Sequence, residues 1–237
     1  MKKLFLFIGI IFVLGCGGNS ISEKETRGLI VPVYFYNLSE WDRVVDADID
    51  EIAIINPSNG PGSSVDDNYV NFIKALVSKG KKPVGYVYTK WGSRDISEVK
   101  DDIDTWLSFY PQIKGFFVDE AATGVDKLSY YEELRDYIKS KGDFYIVLNP
   151  GTQPNAAYFS IADNIVVYES NLSELDENLC KTYIDKSSII VYGVTKDEMI
   201  KIVNKYHCRY IYITDDTLPN PYDTLPSYFD EEINALK

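Results

Sequence analysis

Two apolar runs in this chain end in acid. Phe116-Phe117-Val118 leads into Asp119-Glu120, and Ile165-Val166-Val167-Tyr168 leads into Glu169. A carboxylate set after such a run costs desolvation free energy unless it has a partner or a task. Acids that converge also push each other's pKa values apart, so that one keeps its proton at a pH where another is ionised. Cleavage of a glycosidic bond needs that division of labour, with the two carboxyl groups about 5 to 9.5 Å apart. Asp119, Glu120 and Glu169 are therefore the candidate catalytic residues. The competing reading makes them helix caps or ligands of a structural cation.

For these acids to meet, the chain has to bring the ends of two distant strands to one place. Short β-branched and aromatic runs recur at 29–36, 51–56, 82–89, 115–120, 144–149, 164–170, 188–194 and 209–215. Most are apolar on both alternating faces, as in Ile52-Ala53-Ile54-Ile55, which is the pattern of a parallel strand buried on both sides. Helical spacing of apolar residues marks 68–79, 96–109, 129–141 and 196–206. Gly80 and Gly142 stand where left-handed caps are wanted, and Ser93 or Asp95 precedes the third of these helices. The connections around Trp41, Ala157 and Leu172 are less regular and read as short or partly loop.

Strands and helices alternating in this way predict an α/β fold, a single (β/α)8 TIM-type barrel with short loops. An open, doubly wound sheet is the competitor, but the first strand is followed by neither a Gly-x-Gly-x-x-Gly nor a Walker loop. In such a barrel the reactive residues gather at the C-terminal ends of the strands. Those ends carry Tyr34, Tyr36, Asn56, Tyr86, Tyr88, Asn149, Tyr168, Tyr192, Thr214, Asp215 and Asp216 besides the three acids, and Trp91 follows the third strand. Amides and carboxylates suit sugar hydroxyls, and aromatic faces suit the apolar faces of sugar rings. Tyr34, Asn56, Tyr86, Tyr88, Trp91, Asn149, Tyr168 and Asp215 are thus candidate substrate-binding residues, each with a packing or capping role as its rival; for Asn56-Pro57 and Asn149-Pro150 the turn-capping role is slightly favoured. Strands four and six are both even, so equivalent positions share a side-chain layer, and neighbours on a strand face opposite sides, so only one of Asp119 and Glu120 points along the barrel axis.

The start of the chain is set apart from the fold. Met1-Lys2-Lys3 is basic, Leu4 to Leu14 is an apolar run, and Val13-Leu14-Gly15-Cys16 follows. The apolar run is about half the roughly 20 residues a spanning helix needs, and the layout is that of an export signal. Residues 1–16 resemble a bacterial lipoprotein signal whose Cys16 is lipidated, the alternative being an ordinary secretory signal in which Cys16 is incidental. Residues 17–28 are polar and aperiodic, a flexible tether with a reach of roughly 40 Å, and 29–237 form one domain. The expected location is outside the cytosol, lipid-anchored to the cell envelope or cell surface, and the expected state is a monomer.

With 24 Lys and Arg against 36 Asp and Glu, the net charge is −12 and no basic cluster exists, which argues against a nucleic-acid partner. One histidine leaves no room for a His-rich zinc site or a Ser-His-Asp triad, and neither a metal nor a cofactor is expected. Cys180 and Cys208 permit one disulfide in an exported protein without requiring it.

Val31-Pro32-Val33-Tyr34, Ile55-Asn56-Pro57-Ser58-Asn59-Gly60-Pro61-Gly62, Gly85-Tyr86-Val87-Tyr88-Thr89 and Gly115-Phe116-Phe117-Val118-Asp119-Glu120 resemble, in order, the motifs of the spherulation-specific (spherulin-4-like) family, glycoside hydrolase family 135. The resemblance covers essentially 29–237. It implies an endo-acting hydrolase of an α-1,4-linked galactosamine or N-acetylgalactosamine exopolysaccharide of microbial biofilm matrix. It also implies Asp119 as nucleophile or stabilising carboxylate, Glu169 as general acid/base and Glu120 in support. The competing classes are a non-catalytic cell-surface glycan-binding module and a structural envelope protein.

Overall fold

The computed structural model describes residues 27–237; the signal segment, Cys16 and nearly all of the tether lie outside the described residues. Eight parallel strands close into a barrel in chain order: β1 (Gly28–Val33), β2 (Glu51–Ile55), β3 (Lys82–Tyr88), β4 (Gly115–Asp119), β5 (Tyr145–Leu148), β6 (Asn164–Asn171), β7 (Ser187–Tyr192) and β8 (Tyr210–Ile213). All eight expected strands are present. β1 and β2 are buried at every position, because the barrel interior covers one face and helices cover the other.

Helices α1 (Leu38–Asp46), α2 (Asp67–Ser78), α3 (Ile96–Phe109), α4 (Leu128–Lys141), α5 (Lys196–Lys205) and α6 (Phe229–Leu236) pack around the ring. The stripe Tyr69, Phe72, Ile73 and Leu76 of α2 is buried, as is Val99, Ile103 and Trp106 of α3. Asp95, not Ser93, caps α3 by accepting from Ser97 N–H, and Thr195 with Glu198 forms a capping box on α5. Gly80 follows α2 with φ 78°, whereas Gly142 ends α4 in an extended conformation (φ 157°, ψ −175°) instead of the expected left-handed one.

Two helices differ from the sequence pattern. The stretch around Trp41 is a regular helix, α1, begun by Asn37, whose side chain accepts from Ser39 N–H. Trp41 stacks on Phe72 of α2 at 4.6 Å and 13°, and with Val44 it forms the short buried stripe of an otherwise polar helix. α6 closes the ring. β1 and β8 pair at only two positions, Gly28↔Tyr210 and Leu29↔Ile211. Beyond them the Ile213 N–H donates to the buried carboxylate of Glu232 on α6 (2.8 Å), which satisfies a backbone donor that β1 leaves open. After β5 and β6 the connections hold only 3-10 turns, Ala156–Ser160 in the first and Leu172–Glu174 and Ile184–Lys186 in the second.

Below the core, at the N-terminal end of the barrel, Lys82 and Arg209 converge on Asp50, which also accepts from Tyr210 OH. Outside it Lys81 and Glu51 form a buried ion pair at 2.8 Å. Cys180 and Cys208 are joined, with Cα atoms 5.1 Å apart and a separation of 28 positions in sequence. A loop of that size is worth roughly 3 to 4 kcal/mol on the chain-entropy account, and it ties the irregular β6–β7 connection to the start of β8.

Candidate active site

Register decides which side chains enter the barrel, because directly paired residues of parallel strands share a face. Tyr86 pairs with Phe117 and Tyr88 with Asp119; Phe117 pairs with Val147, two residues before Asn149. Asp119 and Asn149 therefore lie on the interior face. On β6 the pairing runs Val166↔Ser188 and then Tyr168↔Ile189 and Glu169↔Ile190, leaving Val167 unpaired. This bulge reverses the phase of the strand. Without it, Tyr168 would follow Val166 into the interior and Glu169 would face the helices. With it, Glu169 turns inward. Tyr168 turns away, donating its hydroxyl to Asn171 O, and stands outside this cluster.

The acids meet on one amide. Asn149 Nδ2 donates to Asp119 Oδ1 at 2.7 Å and to Glu169 Oε2 at 2.5 Å. Its Oδ1 is held by Gly151 N–H (3.0 Å), so the donor end is the one presented to the carboxylates. Asp119 Oδ2 accepts from Tyr86 OH (2.7 Å), and Glu169 Oε1 accepts from Tyr222 OH (2.6 Å). Tyr34 stands edge-on to both phenols, 5.8 Å from the Tyr86 ring and 5.7 Å from that of Tyr222. Asn149 thus has two tasks, bridging the acids as well as shaping its turn.

Burial raises the pKa of Asp119, against hydrogen bonds from Tyr86, the Glu120 N–H and Asn149 that favour its ionised form. Burial also raises Glu169, and the charge of Asp119 raises it further, against the donors Tyr222 and Asn149. Both carboxyls are thereby held above their ordinary range, and the charge of Asp119 helps Glu169 keep a proton. Burial and the same acids push the phenols of Tyr34, Tyr86 and Tyr222 up, so they remain neutral donors.

A group whose folded-state pKa is raised favours folding most below its unfolded pKa, and that contribution is lost as pH rises through the folded value. Glu169→Gln, which cannot ionise, is accordingly expected to raise Tm at pH 7, with the gain vanishing near pH 4, around the ordinary Glu value of about 4.3. A thermal melt of the variant at both pH values checks this; an equal or lower Tm at pH 7 would refute the reading.

Glu120 leaves the strand in a left-handed conformation, φ 50°. Such a residue stores on the order of 1 kcal/mol of strain and needs surroundings that hold it. Here its carbonyl accepts from Thr89 Oγ1 (2.8 Å) and Trp91 N–H (2.6 Å). Thr89 Oγ1 lies 2.9 Å from Tyr131 OH, which accepts from Ala122 N–H. The chain thus turns right after Asp119, so Asp119 is the inward member of the pair while the Glu120 charge still acts on Tyr86.

The other expected residues divide. Tyr88 lies at the rim under the Arg94 guanidinium, 4.3 Å from the ring centroid. Trp91 is exposed. Asn56 Oδ1 accepts from Gly60 N–H (3.1 Å), the turn-capping role, and takes no part in the carboxylate network. Asp215 accepts from Ser227 N–H (3.0 Å) and Ser227 Oγ, which makes it a loop anchor outside the carboxylate network. Tyr222, Thr89 and Tyr131 were missed. Tyr222 stands in the connection from β8 to α6, away from any strand end, and only the barrel's closure brings it to Glu169.

The chain matches the family described as spherulation-specific family 4 over residues 28–236. It is 36% identical to spherulin-4 of Physarum polycephalum, across 91% of this chain and 71% of that protein. Among solved structures, Sph3 of Aspergillus clavatus, in complex with GalNAc, aligns with a TM-score of 0.80 at 27% identity, covering 90% of this chain and 98% of that one. The endo-beta-N-acetylglucosaminidase of Cordyceps militaris aligns with a TM-score of 0.53 at 13% identity over 80% of this chain and 81% of its own, a likeness of fold alone.

Proposed function

The chain belongs to spherulation-specific family 4, and from that premise we propose that it is a glycoside hydrolase that cuts within an α-1,4-linked galactosamine or N-acetylgalactosamine polymer. The observation that carries the reading is the Asn149 bridge, which holds Asp119 and Glu169 together at the C-terminal mouth of the barrel. The GalNAc complex of Sph3 supports an amino sugar as the occupant of that mouth.

In this reading the protonated Glu169 donates to the departing glycosidic oxygen. The ionised Asp119 attacks, or stabilises, the oxocarbenium-like carbon that forms, and Glu120 supports the field around it. Asn149 Nδ2 lies 2.7 and 2.5 Å from the two carboxylate oxygens it joins, so those oxygens are no more than about 5 Å apart, on the short side of the range and in keeping with retention, for which about 5 to 5.5 Å is usual. Incubation of the protein with acetylated and deacetylated galactosaminan, followed by mass spectrometry and by NMR of the first-formed anomer, tests this. Oligomers released with retained α-configuration are expected; absence of new reducing ends on either polymer would sink the proposal.

Tyr222→Phe removes a hydrogen bond that favours ionised Glu169. The alkaline limb of the pH–activity profile is therefore expected to move to higher pH. A shift to lower pH would dismiss Glu169 as the group that must be protonated.

The same proposal sets the enzyme outside the cytosol, held at the cell envelope by lipid on Cys16, a position supported by the basic start and apolar run that precede it. Cys16→Ser is expected to move the protein from the detergent phase to the aqueous phase on Triton X-114 partition. Unchanged partition would rule out that anchor.

A further inference from the structure

Of the three tryptophans in the sequence, Trp41 and Trp106 are buried while Trp91 is 60% exposed. Trp91 stands on the connection from β3 to α3, at the same end of the barrel as Asp119 and Glu169. Lys90, Trp91 and Gly92 follow one another with φ of 49°, 52° and 72°, three consecutive left-handed residues. A non-glycine residue in that conformation costs roughly 1 to 2 kcal/mol and is normally met singly. The turn is nonetheless pinned from several sides: Thr89 O accepts from the N–H groups of Gly92, Ser93 and Arg94, and Lys127 Nζ donates to Gly92 O. The Trp91 N–H itself donates to the carbonyl of Glu120, the residue after Asp119.

An exposed indole gains little from burial, so the packing of Trp91 does not offset the strain that displays it. Its position repeats a pattern. Tyr36, Val65, Val125 and Leu218 are also exposed on connections that follow strands at this end, and exposed Leu38 opens α1 there; the other large exposed apolar residues among those described, Ile184 just before β7 and Ile200 within α5, are placed elsewhere. The ring of Tyr88 is already covered by Arg94. Trp91 is left as the open aromatic face on the β3 side of the mouth.

We propose that Trp91 is the platform of a sugar subsite beyond the scissile bond, stacking on the apolar face of a pyranose ring of the polymer, with the left-handed turn fixing that platform to the Asp119–Glu120 turn. The inference rests on the hydrolase reading for its ligand and adds to it a place where chain length is read. A long oligomer reaches from the acids to Trp91, and a single sugar does not.

Because the other two tryptophans are buried, acrylamide quenches Trp91 selectively, and a change of emission on adding ligand reports on it. In the Glu169→Gln protein, which leaves the ligand intact, long α-1,4-linked N-acetylgalactosamine oligomers are expected to shift the emission to the blue and protect it from acrylamide, while free N-acetylgalactosamine does neither. Trp91→Ala should abolish the response and, in the otherwise native enzyme, raise KM for the polymer at least about tenfold, the loss falling on KM more than on kcat; Trp91→Phe should restore part of it. Cleavage by the native enzyme together with a silent indole, or an unchanged KM in Trp91→Ala, would overturn the subsite and leave the hydrolase reading standing. An indole response to the oligomers from a protein that cleaves nothing would uphold the subsite and remove the hydrolase reading.

Discussion

Glu169→Gln is expected to lower turnover of the galactosaminan by at least about a thousandfold, within the usual reach of a general acid, while far-ultraviolet circular dichroism stays that of the native protein. The amide keeps the shape of the side chain and hydrogen-bonding capacity toward Asn149 and Tyr222, but it has no proton to give to a departing alkoxide. Asp119→Asn should be damaged to a similar degree through the opposite failure, the loss of a negative charge at the carbon under attack. The double variant should be little worse than either single one, since two groups that act on one bond do not contribute additively. Initial rates of reducing-end release across the set decide the matter. Either single variant within tenfold of native activity would remove that residue from the chemistry.

The largest expected loss of stability lies at the other end of the barrel. Lys81 Nζ touches Glu51 Oε2 (2.8 Å) and donates to the carbonyls of Val44 and Ala47 (2.8 and 2.7 Å), which close the end of α1. Glu51 is fully buried, and burial raises its carboxyl to about 7 even though the Lys81 charge pulls the other way. Lys81→Met strands that carboxyl and leaves the carbonyls without their donor. A cost of about 3 to 5 kcal/mol is expected, a large part of the 5 to 15 kcal/mol typical of a folded domain. Denaturant midpoints at pH 7 measure it. The deficit should be steady from pH 5 to about 7, where the native and the stranded carboxyl both keep their proton, and grow above pH 7, where only the native one ionises beside Lys81. Adding Glu51→Gln should restore much of the loss. A single variant that loses less than about 1 kcal/mol would show that the pair is dispensable.

The strands were legible because a barrel strand is covered on both faces and its sequence says so in unbroken apolar runs such as Phe116-Phe117-Val118. The acids were legible for the same reason, as charges with no business at the end of such runs. Their orientation was not. One unpaired residue, Val167, decides that Glu169 and not Tyr168 enters the barrel, and nothing in strict alternation announces a bulge. Asp119 and Glu120 stayed ambiguous because the left-handed turn at Glu120 is held by contacts from Thr89 and Trp91, over 28 residues away in sequence. Tyr222 was invisible for a related reason: a loop residue acquires its role only when the ring has closed around it. α1 was read as irregular because its apolar stripe is short, Trp41 and Val44 within nine residues, and only the packing of Trp41 on Phe72 makes it a buried face.

That closure is itself late. The final stave of the ring is latched by Glu232 of α6, an element that follows all eight strands in the chain. The circle can therefore be locked only once every stave has been made. A tag or deletion at the carboxyl end would act on the keystone of the vault, far along the chain from the acids it shelters.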